Sequence, residues 1–322
     1  MVIKRIGLLT SGGDAPGMNA AIRSVVRYGL HHKLEVIGIY RGYAGLINED
    51  LKSLDHRSVA GIINRGGTIL ESQRCDEFLT EEGQRKAVEI LKRNKIDALI
   101  VLGGDGTYRG AIQLWERWHI PCVGIPATID NDINGTDITI GADTAINTAL
   151  EAVDKIRDTS TSMDRIFVVE VMGRESGFIA SQVALASGAE EVLVPEIAYD
   201  LDDMCHDIES GYLKGKERWI IIVAEGEAGA GEIANKITEI SGSEIRVVVL
   251  GHVQRGGSPT AQDRILATHL GAAAVDLILN NEYGKAVGVK GNQINAVDLH
   301  RAVEKKNGIR VNSSYQLMRN LI

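Results

Sequence analysis

The 322 residues carry 35 Lys and Arg against 43 Asp and Glu, a net charge of −8, and are 44% hydrophobic but only 4% aromatic. That balance excludes a broad nucleic-acid surface while leaving room for a local basic pocket. No apolar run approaches the ~20 residues of a membrane span, the N-terminus runs straight into a strand without a signal-peptide pattern, and the three cysteines are widely spaced with no Cys-x-x-Cys. The expectation is a soluble, cytoplasmic chain of about two domains, with neither a disulfide framework nor a zinc site.

In chain order, residues 4–9 read as a strand, 10–17 as a tight glycine turn, Met18–His31 as a helix, 35–40 as a strand and 42–45 as its loop. A strand, a helix and a strand in that order imply parallel pairing and a doubly wound sheet. Thr80 is placed to cap a helix reaching Asn94, with Glu81 and Glu82 near its positive end. Residues 98–102 form a continuous apolar strand closed by Gly103-Gly104-Asp105-Gly106-Thr107, with a helix starting at Tyr108. Residues 122–125 are another buried strand, stopped by Pro126, which has no N–H to give to a sheet. A second series opens near Ile140 with a long helix to about Thr159, a strand over 165–171, a helix over 177–187 and a short strand over 191–194. Asp200 and Asp203 mark the start of a helix to Gly211, and Trp219–Ala224 and residues 246–250 are apolar strands. The tail beyond Asn292 is polar and weakly patterned, a surface segment containing a helix.

Nearly every strand ends in glycine and charge: Gly12-Gly13-Asp14, Gly103-Gly104-Asp105-Gly106, Asp130-Asn131-Asp132, Met172-Gly173-Arg174 and Glu225-Gly226. Open α/β sheets bind ligands beyond the carboxyl ends of their strands. Glycines let backbone N–H groups face a phosphate, a following helix adds its positive end, and nearby carboxylates suit a Mg2+-nucleotide. There is no Gly-x-x-x-x-Gly-Lys-Ser/Thr, which excludes a P-loop. The stretch Pro126-Ala127-Thr128-Ile129-Asp130-Asn131-Asp132 puts two carboxylates two residues apart behind a hydroxyl. By itself it reads equally as a catalytic loop or as a solvated Asp/Asn turn. Arg165, Arg174, Arg246, His252 and Arg255 fall at strand ends or just beyond. Singly they read as surface ion-pair partners, and together as a phosphate pocket.

Taken in order, Leu9–Asn19, Gly103–Thr107, Pro126–Asp132, Met172–Arg174 and Gly251–Pro259 resemble the bacterial ATP-dependent 6-phosphofructokinase family, over nearly the whole chain. The resemblance implies two Rossmann-like three-layer α/β domains. The larger, ATP-binding one would hold 1–141 plus 254–308, and the smaller, sugar-phosphate-binding one 142–253 plus 309–322. It implies transfer of the ATP γ-phosphate to the 1-hydroxyl of fructose 6-phosphate, with Mg2+ at Asp105. Asp130 matches the general base, Thr128 a contact to the transferring group, Gly13 and Arg174 stabilisers of its charge, and Asp132 a neighbour of the reacting hydroxyl. Gly13, Tyr43, Arg74, Cys75, Gly104, Asp105, Gly106 and Thr107 match nucleotide contacts. Arg165, Arg246, His252 and Arg255 match the sugar-phosphate site, together with Thr128, Asp130, Asp132, Gly173 and Arg174, and with Met172 and Glu225 on the sugar. In the family Arg165 and Arg246 reach in from a neighbouring subunit, implying a homotetramer.

The resemblance also implies an effector pocket for ADP or phosphoenolpyruvate at Arg23, Arg27, Arg157, Glu190, Lys214 and Lys216, where Lys214 replaces an Arg. His56 stands where relatives commonly have Arg, with Arg57 beside it, and Glu217 where they have Lys. Two competitors remain. A pyrophosphate-dependent phosphofructokinase usually has Asp at Gly106 and Lys at Ala127, whereas ATP enzymes usually have Gly at the latter. A two-domain sugar-binding regulator without turnover has no need for Asp130 together with Arg174 and Gly-Gly-Asp-Gly.

Overall fold

Strands that are apolar on both faces need helices on both faces, and the two sheets of this chain obtain them. The computed structural model describes residues 3–161, 165–216, 218–226, 229–304, 306 and 309–321. It divides into two compact units, Met1–Thr144 with Arg255–Lys306, and Ala145–Gln254 with Asn307–Ile322. No helix of the described residues is long and apolar enough to cross a membrane.

The first unit begins with β1 (Arg5–Thr10), α1 (Met18–His31), β2 (Glu35–Ile39), α2 (Gly42–Ile47), β3 (Leu51–Leu54), α3 (Glu81–Arg93), β4 (Ala98–Gly103), α4 (Asp105–Trp118) and β5 (Cys122–Pro126). The chain then passes along α5 (Ala142–Thr161) into the second unit. That unit holds β6 (Ile166–Val171), α6 (Phe178–Ser187), β7 (Glu191–Leu193), α7 (Leu201–Leu213), β8 (Trp219–Ala224), α8 (Ala230–Ser241) and β9 (Ile245–Val249). The first unit resumes with α9 (Ala261–Leu279), β10 (Lys285–Lys290), β11 (Gln293–Asp298) and α10 (Leu299–Ala302), and α11 (Ile309–Arg319) ends the second.

The first sheet runs β11-β10-β5-β4-β1-β2-β3, parallel except for its antiparallel edges β11 and β3. Leu9, Leu99 and Val101 share one core cluster with Tyr43, Leu46, Leu91 and Ala111 from α2, α3 and α4. Ile6 turns to the opposite face, near Gly29 of α1, and α1 packs on α9. All six residues of β4 are buried, each large aliphatic among them contributing about 1.5–3 kcal/mol. The second sheet, β7-β8-β6-β9, is wholly parallel. Ile166, Val168, Ile221 and Val223 pack on Met204 and Ile208 of α7 and Ile233 and Ile237 of α8, and α6 packs on β8 and α11. Both units are thus three-layered α/β.

Several local expectations need correction. Residues 42–45 open α2 instead of forming a loop. Here a side chain at Gly45 would run into the Tyr40 carbonyl, 1.5 Å away, so close packing selects the glycine that helix propensity disfavours. Helix α4 begins at Asp105, three residues before Tyr108. Beyond Asn292 the chain forms β11, which pairs along all of β10 before any helix. Thr80 does cap α3, its hydroxyl accepting the Gly83 N–H at 3.1 Å, a bond worth about 1 kcal/mol.

Candidate active site

In the first unit the carboxyl ends of β1, β4 and β5 are laced together. Ser11 donates its N–H to the Leu102 carbonyl at 3.0 Å, and the Thr107 hydroxyl donates to the Ser11 carbonyl at 2.9 Å. Only glycine fits between them: a methyl group on Gly103 would lie 2.2 Å from Thr107 Oγ1. With Gly104 as cap, the N–H groups of Asp105, Gly106 and Thr107 fall in the first turn of α4, where no helical carbonyl reaches them. That turn is suited to phosphate oxygens. A methyl on Gly106 would meet nothing within 4 Å, so the space over this turn is open. Gly13 lies beneath the Arg255 guanidinium, whose Nη1 a methyl there would approach to 2.3 Å. Arg255 also donates to the Asp14 carbonyl at 3.2 Å, so a cation already sits on the glycine turn.

Of the other expected nucleotide contacts, Tyr43 and Cys75 pack in the cluster beside this turn and Asp105 opens it. Tyr43 is buried and stacks on Phe78 at 4.0 Å between ring centroids. Its hydroxyl donates to the Thr107 carbonyl at 2.7 Å, and burial pushes its pKa well up. The phenol is therefore committed to the scaffold of the loop. Cys75 is half-buried against the same cluster, and Arg74 is exposed. Asp105 is half-buried with its carboxylate 3.3 Å from Arg109 Nε, one helical turn on. No group of three or more candidate metal ligands occurs among the described residues. A single carboxylate beside backbone donors nevertheless fits a Mg2+ that arrives on a nucleotide, since that ion takes one or two carboxylates and completes its shell with phosphate and water.

The loop after β5 carries the paired carboxylates. Ala127 N–H donates to the Gly103 carbonyl at 3.1 Å, which brings this loop to the end of β4. A methyl on Gly104 would lie 3.7 Å from Thr128 Cβ, so Thr128 faces the glycine turn. Thr128 Oγ1 accepts the Asp130 N–H at 3.2 Å. Asp130 and Asn131 are buried and Asp132 is half-buried. Asn131 holds a left-handed φ of 50°, a conformation unusual for a non-glycine residue. Lys306 supports it, its ammonium donating to the Asn131 carbonyl at 2.9 Å and to Oδ1 at 3.1 Å. Sequence reading missed Lys306, since nothing in the local pattern links it to a loop some 175 residues away.

The second unit carries another set. Glu225 Oε1 accepts the Gly173 and Arg174 N–H groups at 3.3 and 3.1 Å, tying the ends of β6 and β8 together. Met172 is buried; Arg174 is exposed with φ 53°. Exposed His252 follows β9 at the same carboxyl end. Arg165 and Arg246 do not join them. Arg165 immediately precedes β6 and Arg246 is the second residue of β9, with Ile166 registered to Ile245 across the parallel pair. Both cations therefore stand toward the amino end of the sheet, about 20 Å of strand (Arg165) and about 13 Å (Arg246) short of Val171, beyond which Arg174 lies. Within the second unit Arg165 and Arg246 thus stand at the opposite end of the sheet from Arg174 and His252, while Arg255 belongs to the first unit. Arg246 is exposed and pairs with Glu244.

The expected effector residues also divide. Arg23 and Arg27 lie one turn apart on α1, both half-buried. In the second unit, Arg157 donates to the Ser187 carbonyl at 2.8 Å. Glu190 accepts the Ile220 N–H at 2.7 Å and lies 3.7 Å from the Lys216 ammonium. That ammonium sits 4.5 Å over the Trp219 ring. Lys214 and His56 are exposed, as is Arg57. Glu217 lies outside the described residues.

Comparison with known proteins places this geometry among relatives. A family model described as Phosphofructokinase matches residues 5–278. An ATP-dependent 6-phosphofructokinase of Halothermothrix orenii is 53% identical over 94% of this chain and 95% of its own length. One from Bacillus cytotoxicus is 52% identical over 99% of both. Among solved structures, the phosphofructokinase of Saccharomyces cerevisiae superposes with a TM-score of 0.88 at 36% identity. The match covers 98% of this chain and 48% of the yeast chain, so this chain spans about half the length of that relative.

Proposed function

The chain belongs to the phosphofructokinase family, and from that premise we propose that it transfers the γ-phosphate of ATP to the 1-hydroxyl of fructose 6-phosphate, giving fructose 1,6-bisphosphate and ADP. The observation that carries this reading is the loop after β5: a buried Asp130 fixed through Thr128 opposite the glycine turn that opens α4. Phosphoryl transfer asks mainly for positioning and charge neutralisation, with one base to take the hydroxyl proton. Asp130 is that base. As the sugar oxygen attacks phosphorus and the bond to ADP breaks, the hydroxyl proton passes to the carboxylate. Thr128, Gly13 and Arg174 act on the transferring group, and Asp132 stands beside the attacking hydroxyl. The N–H groups of Gly106 and Thr107 receive nucleotide phosphate, and Asp105 would hold the Mg2+ of MgATP, which offsets phosphate charge.

Arg165, Arg246, His252 and Arg255 take the 6-phosphate, with Met172 and Glu225 on the sugar. The separation of Arg165 and Arg246 from Arg174 supports a site completed by a second subunit, as in a homotetramer. So does the outer edge of β9, whose Val247 and Val249 are 41% and 60% exposed; open apolar edge strands tend to find partners. An effector pocket for ADP or phosphoenolpyruvate, formed between subunits, draws on Arg157, Glu190, Lys214 and Lys216 of the second unit and on Arg23 and Arg27 of α1. The open, uncharged surface at Gly106 supports ATP over pyrophosphate as donor, since an Asp there would repel a nucleotide's α-phosphate. A cytoplasmic setting fits the substrates.

A coupled assay for ADP release and for fructose 1,6-bisphosphate, run with ATP and with pyrophosphate, tests the reading. Turnover with ATP is expected. Turnover with pyrophosphate alone would assign the other donor, and none with either would sink the reading.

A further inference from the structure

The catalytic loop is braced from behind by a carboxylate that plays no part in the chemistry above. Asp263, in the first turn of α9, has no exposed surface. Its Oδ1 accepts the Gly141 N–H at 2.8 Å, and its Oδ2 accepts both the Thr144 N–H at 2.8 Å and the Thr144 hydroxyl at 2.5 Å. Gly141 immediately precedes α5 and Thr144 is its third residue, so Asp263 supplies from another helix the two bonds that a capping box makes locally. Gly141 cannot cap itself. Its φ is 101°, and a methyl there would meet the Ala15 Cβ at 2.7 Å. Burial pushes the Asp263 carboxyl up, against these three donors.

Helix capping alone does not account for what precedes Gly141. Ile140 pairs in parallel with Ala127 and donates its N–H to the Pro126 carbonyl at 3.0 Å. The Thr139 hydroxyl donates to the Thr128 carbonyl at 2.6 Å. A continuous hydrogen-bonded path therefore runs from Asp263 through residues 139–141 to Thr128, two residues before the base.

We propose that Asp263 is a positioning residue for phosphoryl transfer, holding the 139–141 segment so that Thr128 and Asp130 keep their catalytic geometry. This rests on the roles given above to Thr128 and Asp130. Wild-type turnover is measured first, and failure there would remove the functional reading itself. Asp263→Asn sets an amide N–H2 against one of three converging donors, Thr139→Val cuts the link to Thr128, and Thr139→Ser keeps it. Small misplacements of reacting groups lower rates by up to ~10²-fold. Asp263→Asn and Thr139→Val should therefore each lower kcat about tenfold or more, with both KM values within about threefold. Acting on one path, they should be non-additive, the double variant lying within about twofold of the worse single. Thr139→Ser should keep most of kcat. Multiplying losses in the double variant, or an unchanged kcat with a lower Tm, would overturn the proposal. If Asp263→Asn does not fold, the Thr139 pair decides, and equal kcat for Val and Ser would reject the path.

Discussion

The two units prepare their loops differently. In the first, the residues assigned to chemistry are tied down by their own chain: Thr107 to Ser11, Thr128 to Asp130 and to Thr139, Lys306 to Asn131. In the second, Arg246 and His252, assigned to the sugar phosphate, are exposed and Arg165 is half-buried, split between opposite ends of one small sheet, with Arg246 paired to the neighbouring surface carboxylate of Glu244. Groups that must act at one instant on reacting atoms work best when already fixed in place. Groups that bind a phosphate can wait for it, and Arg165 and Arg246 are the two that the proposed function draws from a second copy of the chain.

That contrast is sharpened most by removing the base. Asp130→Asn should bind both substrates with little change and lose about 10²–10⁴-fold in kcat, because an amide cannot take the hydroxyl proton. A purified variant keeping more than about a tenth of wild-type kcat would reject Asp130 as the base. Arg246→Ala tests the other side. Loss of a charged donor to phosphate costs about 1.5–3 kcal/mol, so KM for fructose 6-phosphate should rise by roughly 10–150-fold while KM for ATP holds. The two variants can also be dissociated, mixed and reassembled. If one subunit's Asp130 works with another's Arg246, on the order of a quarter of the sites become whole and turnover returns. A mixture no more active than its parents would place both residues in one subunit's site.

How much of this was legible in the sequence depends on the range of the interactions. Strand ends marked by glycine and charge were legible, because turn chemistry is local. Helix α2 was not, since Gly42 and Gly45 argue against a helix until the packing around Tyr43 and Tyr40 is seen. The start of α4 was set too late for the same reason. Arg165 and Arg246 open the strands expected over 165–171 and 246–250, so their place at the amino end of the sheet was legible too, within one residue of the observed bounds of β6 and β9. The Asp263 and Lys306 contacts span more than a hundred residues and left no periodic signal.

A smaller effect is expected where the first unit meets the nucleotide. Gly106→Asp should fold normally, because its side chain would enter open space. The added charge should raise KM for ATP several-fold at moderate salt, a cost of about 1–2 kcal/mol for charges near a surface. An unchanged KM would remove the argument that an uncharged residue here favours ATP.

The smallest expected effect concerns regulation, where the two units differ again. On the second unit, Lys216 is already shared between Glu190 and the Trp219 face, and Arg157 is bonded to the end of α6. An anionic effector must compete with these contacts. His56 is exposed and stands where relatives commonly have Arg, and Glu217 reverses the sign common in relatives. A reversed charge near an anion costs on the order of 1–3 kcal/mol, less when water and salt screen it. Activation by ADP and inhibition by phosphoenolpyruvate should therefore be weak in this chain. Both should strengthen in a His56→Arg/Glu217→Lys double variant, seen as larger effector-induced shifts of fructose 6-phosphate half-saturation at fixed salt. If the wild type already shifts strongly and the double variant shifts no further, these two positions do not set the response, and the cations on α1 become the next to change.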